Sequence, residues 1–275
     1  MAMTKDFKLT AANYYSKEAN ERYFSVSQIK TFLDCPARAM AEIRGEYEQP
    51  MTKALIMGSY FDAWVEGTLE QFKEEHPEIF NSRTKELKAD YQKVDEIIDR
   101  VQEDELFMEY LEGDKQKIIT FNLFGAPFKM KMDVYKKGER IVDTKLMRSM
   151  ERIMGVSFVS HWKYDWQCAI YAEGEYIANR KKNKQRLETY LAVATKEDET
   201  DIAVVHIPRW RNAECLEEIE KVMPRFIAMK NGEIEAPRCE CCAYCRVTKK
   251  LKAPLDFESV GFSAKELAIM KGELW

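Results

Sequence analysis

Near residue 115 the periodicity of the chain changes, and that change restricts the fold more than any other feature. Upstream, apolar residues recur at helical spacing. "SVSQIKTFLDCPARAMAEIRG" (25–45) reads as a helix with Ser25 and Ser27 as candidate N-caps. "MTKALIMGSYFDAWVEGT" (51–68) reads as a second, and 84–112 as one long charged helix or two. Downstream, "KIITFNLFG", "PFKMKMDVYKK" and "RIVDTKLM" alternate, with "GAP" and "KKGER" as turns. Three consecutive strands follow from this, as a meander. A helix at 162–182 comes next, then strands in "RLETYLAVATK" and "DIAVVHIP", a helix at 211–231, a loop-like cysteine segment and a short helix near 263–271. This order predicts an α/β or α+β fold around a mixed sheet.

The chain has 275 residues, 45% of them hydrophobic, enough to bury a sizeable core. No apolar run approaches the length of a membrane span, and "MAMTKDFKLTAANYYSKEANERYF" has no signal-peptide core, so a cytoplasmic protein is expected. Thiols there stay reduced, which turns a cysteine cluster toward metal rather than disulfides. "APRCECCAYCRVTKK" (236–250) holds four of the seven cysteines. The net charge of −4 confines any nucleic-acid contact to local basic sets: 179–186, 246–252, and Arg148 with Arg152.

The chemistry-bearing residues lie on the meander. Asp133 is on its second strand; Asp143 and Lys145 are on its third and share a face by alternation. If the two strands pair, two carboxylates and an ammonium converge, a hard-oxygen set suited to Mg²⁺ or Mn²⁺. A surface salt bridge on an edge strand would use the same triplet. Gln167 and Tyr171 stand four apart on the next helix, hence on one face. Trp162, Tyr164 and Trp166 could stack bases or pack in a core. His76, His161 and His206 are isolated and receive no catalytic role. There is no G-x-x-x-x-G-K-S/T phosphate loop, so the chain is not expected to hydrolyse ATP.

Together these motifs resemble the RecB-like branch of the PD-(D/E)XK nucleases. An Asp on one strand, Asp-x-Lys on the next and a following Q-x-x-x-Y helix occur in order as Asp133, Asp143 with Lys145, and Gln167 with Tyr171. Upstream, "GSYFDAWVE" is similar to the branch's G-x-x-x-H-x-x-x-E helix, with Asp62 where the histidine would be and Glu66 at the end. The overall look is similar to phage and prophage RecE-like exonucleases. The resemblance implies one nuclease domain over 1–275 with a restriction-endonuclease-like core. Its parts are a mainly helical 1–115, a catalytic sheet and Q-x-x-x-Y helix over 116–210, and a helix with a metal-cluster segment over 211–275. Asp133, Asp143, Lys145, Gln167 and Tyr171 would be catalytic. The metal ligands would be Asp133, Asp143 and the Thr144 carbonyl, with Asp62 or Glu66. The substrate would be linear DNA, cut from its ends in recombination, with a single-strand annealing protein as partner and a homo-oligomeric ring as an option. A CRISPR-adaptation-like end-trimming nuclease, or a non-catalytic DNA-binding or assembly subunit, are the alternatives.

The same relatives hold a [4Fe–4S] cluster on one early and three late cysteines. By that resemblance Cys35, Cys239, Cys242 and Cys245 are the ligands here, with Zn²⁺ as the alternative occupant. Cys241 would be spare, or exchange with Cys239; Cys168 and Cys215 are expected to be core or surface thiols.

Overall fold

A computed structural model describes residues 7–180 and 185–251, with 253, 254, 257, 260–262, 266, 269 and 270. The basic residues at 181–184, Lys252 and most of the helix expected near 263–271 lie outside the described residues. The helices are α1 (Lys17–Arg22), α2 (Val26–Asp34), α3 (Pro36–Ile43), α4 (Lys53–Glu66), α5 (Leu69–Glu75), α6 (Ala89–Gln102), α7 (Glu105–Tyr110), α8 (Phe158–His161), α9 (Tyr164–Asn179), α10 (Arg209–Asn231) and α11 (Ala243–Val247). The strands are β1 (Asp114–Leu123), β2 (Ala126–Lys136), β3 (Arg140–Met147), β4 (Glu188–Thr195) and β5 (Ile202–Ile207).

They form one mixed sheet in the order β1-β2-β3-β4-β5. β3 runs antiparallel to β2 and parallel to β4, and β5 is antiparallel to β4. The parallel step needs a crossover, which α8 and α9 provide. The expected α/β arrangement, with a mixed sheet among helices, is therefore the observed one. The segment at 25–45 is two helices, not one. Pro36 takes the first position of α3 and cannot continue α2, so the chain turns at Cys35. Ser25, not Ser27, is the N-cap, accepting the Gln28 amide at 3.3 Å.

The residues divide into two compact units. One comprises 50–123 and 129–219 and holds β3, β4, β5 and most of β1 and β2. Its core joins Tyr60, Phe61 and Val65 of α4 and Val94, Ile97 and Val101 of α6 to Val134, Val142 and Ala192 of the sheet. A second cluster holds Met147, Phe158, Val159, Cys168, Leu191, Val193 and Ile207. The other unit contains residues up to 49, 124–128 and 220 onward. There Phe32 stacks on Phe226 at 4.9 Å, and Phe24 meets Phe128 at 5.8 Å. Its N- and C-terminal segments are joined by Lys230, whose ammonium donates to the Tyr23 carbonyl at 2.7 Å, and by the Ala37 amide on the Pro237 carbonyl at 3.0 Å.

Candidate active site

The last pair of the β2–β3 ladder is Val134 with Val142. Asp133 and Asp143 are the next residue on each strand, where the ladder stops and side chains can turn into the opening. Alternation sends Thr144, like Val142, toward α4, and sends Asp143 and Lys145 toward α9. α4 is placed by Thr52 at its N-cap and by Gly67 in the left-handed conformation at its end. That helix brings Asp62 to the Thr144 hydroxyl at 2.9 Å.

Thr144 ties the carboxylates together. Its amide donates to Asp133 Oδ2 at 2.9 Å, and its hydroxyl lies 3.1 Å from the same oxygen. A hydroxyl has one proton and cannot donate to both Asp133 and Asp62. Both contacts are satisfied when Asp62 carries a proton and donates it to Thr144. Consistently, burial and the nearby Asp133 push Asp62 up to about 7. Burial, with a further contribution from Asp133, also raises Asp143, against the pull of Lys145. For Lys145, burial would lower the value, but Asp143 and Asp133 override it and keep the ammonium charged.

Asp143 is 2% exposed. Its Oδ1 accepts from Gln167 Nε2 at 2.5 Å; its Oδ2 is buried, makes no hydrogen bond and faces the Lys145 ammonium in an ion pair. Gln167 gives its second proton to the Tyr171 hydroxyl at 3.2 Å, and that hydroxyl donates to the Lys131 carbonyl at 3.1 Å. The pair expected on one helical face thus runs from α9 to β2 and fixes the Asp143 carboxylate between them. Lys145 also donates to the Thr144 carbonyl at 3.0 Å and stands 5.1 Å from the centre of the Tyr164 ring.

Three carboxylates against one ammonium leave the opening short of positive charge. With Asp143 Oδ2 lacking a hydrogen bond, this donor set fits a hard divalent cation, whose arrival would release the protons now held. Glu66 is one turn beyond Asp62, half-buried and raised by burial, with Lys131, Asp133 and Gln116 around it. Three neighbours of the site carried no sequence signal. The Thr144 hydroxyl looked like an ordinary strand side chain. Gln116, 3.5 Å from Asp133, reaches it from a left-handed position (φ 52°) on β1. Tyr164 was read as a base-stacking candidate; it is half-buried beside Lys145. Trp166 is a core residue, 4% exposed with its indole N–H on Glu218, whereas Trp162 is 49% exposed.

The second centre lies in the unit that contains both terminal segments. The sulfurs of Cys35, Cys239, Cys242 and Cys245 all lie within 4.8 Å of one another. Cys35 sits in the α2–α3 break; Cys242 caps α11, a short helix in a segment expected to be loop. The Cys242 amide points at the Cys239 sulfur at 3.3 Å. Burial opposes ionisation of Cys239, but the amides of Cys241 and Cys242 bring its thiol down to about 6. Cys241 is exposed, 3.6 Å from Cys239, and outside the quartet; Cys168 and Cys215 are buried elsewhere. Measured separations are 3.6 Å for Cys35–Cys245 and 3.9 Å for Cys239–Cys245. Four thiolates about 2.3 Å from one tetrahedral zinc lie about 3.8 Å apart. The quartet fits a single ion; a four-iron cube must hold its thiolates farther apart, and this spacing is too tight for it.

The model of the family described as "PDDEXK-like domain of unknown function (DUF3799)" matches residues 25–248. The chain belongs to that family. This places it among the PD-(D/E)XK nucleases at the level of fold and motif. A crystal structure titled "Putative exonuclease" from Eubacterium rectale is 40% identical, with a TM-score of 0.87 over 93% of this chain and 99% of that one. A crystal structure of SSO0001 is 12% identical, covers 83% of this chain and 98% of that one, and at a TM-score of 0.32 is too distant to argue from. No curated protein matches.

Proposed function

We propose that this PDDEXK-like chain is a Mg²⁺- or Mn²⁺-dependent deoxyribonuclease that digests linear DNA from its ends. The observation that carries the reading is the meeting of Asp133, Asp143 and Lys145 where the β2–β3 ladder opens, with Gln167 holding Asp143 from α9. The likeness to a 40% identical protein titled as an exonuclease supports the finer reading.

Asp133 and Asp143, joined by Asp62, would hold the cation, with Glu66 in reserve one turn along α4. The Thr144 carbonyl, now accepting from Lys145, becomes available to the cation if that ammonium swings toward substrate. A bound Mg²⁺ or Mn²⁺ supplies an acidified water and neutralises phosphate charge. Lys145, kept protonated by its carboxylate neighbours, serves as a fixed cationic donor to the attacking water or the charged phosphate oxygens, not as a base. Gln167 and Tyr171 act as positioning residues for Asp143. Exposed Arg148 and Arg152 follow directly on β3 and offer charge to a DNA backbone.

In this reading the chain works in the cytoplasm in RecE-like recombination, passing the exposed strand to an annealing protein, as a monomer or ring. For the cysteine quartet the reading is one zinc ion, favoured over [4Fe–4S] by the sulfur separations. The intact carboxylate–lysine set disfavours a non-catalytic subunit. The test is metal-dependent release of nucleotides from linear duplex DNA, compared with a covalently closed circle of the same sequence. Degradation of the linear form alone is expected; equal attack on the circle would contradict an end-dependent enzyme.

A further inference from the structure

The segment between β3 and α8 carries a feature that folding does not explain. Ile153 and Val156 exchange both backbone hydrogen bonds at 2.9 Å, closing a two-residue turn. Its central residues, Met154 and Gly155, have φ of 50° and 78°. Such a turn calls for Asn, Asp or Gly in its first central position. Here that position holds methionine, in a conformation side chains avoid, with its side chain 95% exposed. Val156 beside it is 45% exposed.

The tip is well anchored. Met150 on one side and Phe158 and Val159 on the other pack into a cluster with Met147 of β3 and Cys168 of α9. Arg152 donates to the Gly155 carbonyl at 3.0 Å, bracing the turn. The segment also begins and ends at the candidate active site. It leaves β3 two residues after Lys145 and returns at Tyr164, whose ring lies 5.1 Å from the Lys145 ammonium. Arg148 and Lys163 flank it with positive charge.

We propose that Met154 is a strand-separating wedge: the apolar tip enters a duplex end, unstacks the terminal base pair, and lets one strand reach Asp143 and Lys145. This rests on the nuclease reading above. Unbranched apolar side chains are suited to entering a base step, and unstacking one pair costs little enough for such a contact to offset. The flanking cations suit a DNA end rather than an apolar protein partner.

The test uses the full chain and two readouts. Duplex DNA with 2-aminopurine in its terminal pair is bound in excess chelator, so that nothing is cut. Binding is followed separately by the anisotropy of a dye at the far end. Wild type should brighten the base analogue on binding; Met154→Ser should bind with little brightening, and Met154→Leu should restore it. With Mg²⁺, Met154→Ser should digest a blunt end about tenfold more slowly, the scale set by the cost of unstacking a pair, yet match wild type on an end already frayed by mismatches. Bound wild type without brightening overturns the wedge, as does a Met154→Ser variant equal to wild type on blunt ends or slowed alike on both substrates. Brightening by a wild type that cuts neither substrate would remove the nuclease reading and leave the wedge standing; no binding would remove both.

Discussion

Thr144 uses its amide, hydroxyl and carbonyl on Asp133, Asp62 and Lys145, so protonation at this site is shared among neighbours. The pH dependence of the metal-free protein follows. Asp62 is raised from 3.8 to about 7, so the folded state holds its proton more tightly than the unfolded chain. The stability this provides is full below 3.8 and is lost as pH rises toward 7. In chelator, Asp62→Asn should flatten that part of the melting-temperature profile; an unchanged slope would contradict the assignment. Mn²⁺ affinity should rise over the same window, because binding must displace the protons, and calorimetry in two buffers should show proton release. Asp143→Ala and Lys145→Ala should each lower cleavage by at least about 10²-fold, the loss typical of removing a preorganised charge, with the melting transition retained. At this scale the sequence showed Asp133, Asp143 and Lys145, because strand alternation fixes which residues share a face. It hid Gln116, because a left-handed residue within a strand breaks that alternation.

Among the elements, α9 carries most of the positioning and lies against the sheet at a close approach. A Cβ on Gly174 would stand 2.4 Å from the Phe121 ring of β1. Gly174→Ala should therefore destabilise by about 1–3 kcal/mol through overpacking, measurable by urea denaturation. It should also reduce cleavage by tilting Gln167 away from Asp143. Wild-type stability would mean that the ring moves aside freely. The elements were largely legible because their periods are clean: the meander, α4, α9 and β4–β5 stand where alternation and helical spacing put them. The misses have local causes. Apolar spacing continues across Cys35, but Pro36 restarts the helix there. α11 is five residues long and is capped by Cys242, so it shows no periodicity of its own.

At the scale of the whole chain, two metal centres of opposite chemistry are separated in sequence and in kind. Hard oxygens come from 62–143, and soft sulfurs from Cys35 and 239–245. The sulfur centre joins segments some two hundred residues apart, so a metal there removes a large loop entropy from the unfolded chain. Cys35→Ser should lower the melting temperature sharply and lose the bound metal, while Cys241→Ser should do neither. Metal analysis after anaerobic purification should find one zinc and no sulfide; about four irons with sulfide, the cluster's make-up, would overturn the single-ion reading. The oxygen centre carries the functional claim, and end-labelled linear duplex DNA tests it most directly. Wild type should release labelled nucleotides with Mg²⁺ or Mn²⁺, stop in chelator, and lose this activity on Asp143→Asn. Release that persists in chelator, or an Asp143→Asn variant as fast as wild type, would contradict the account.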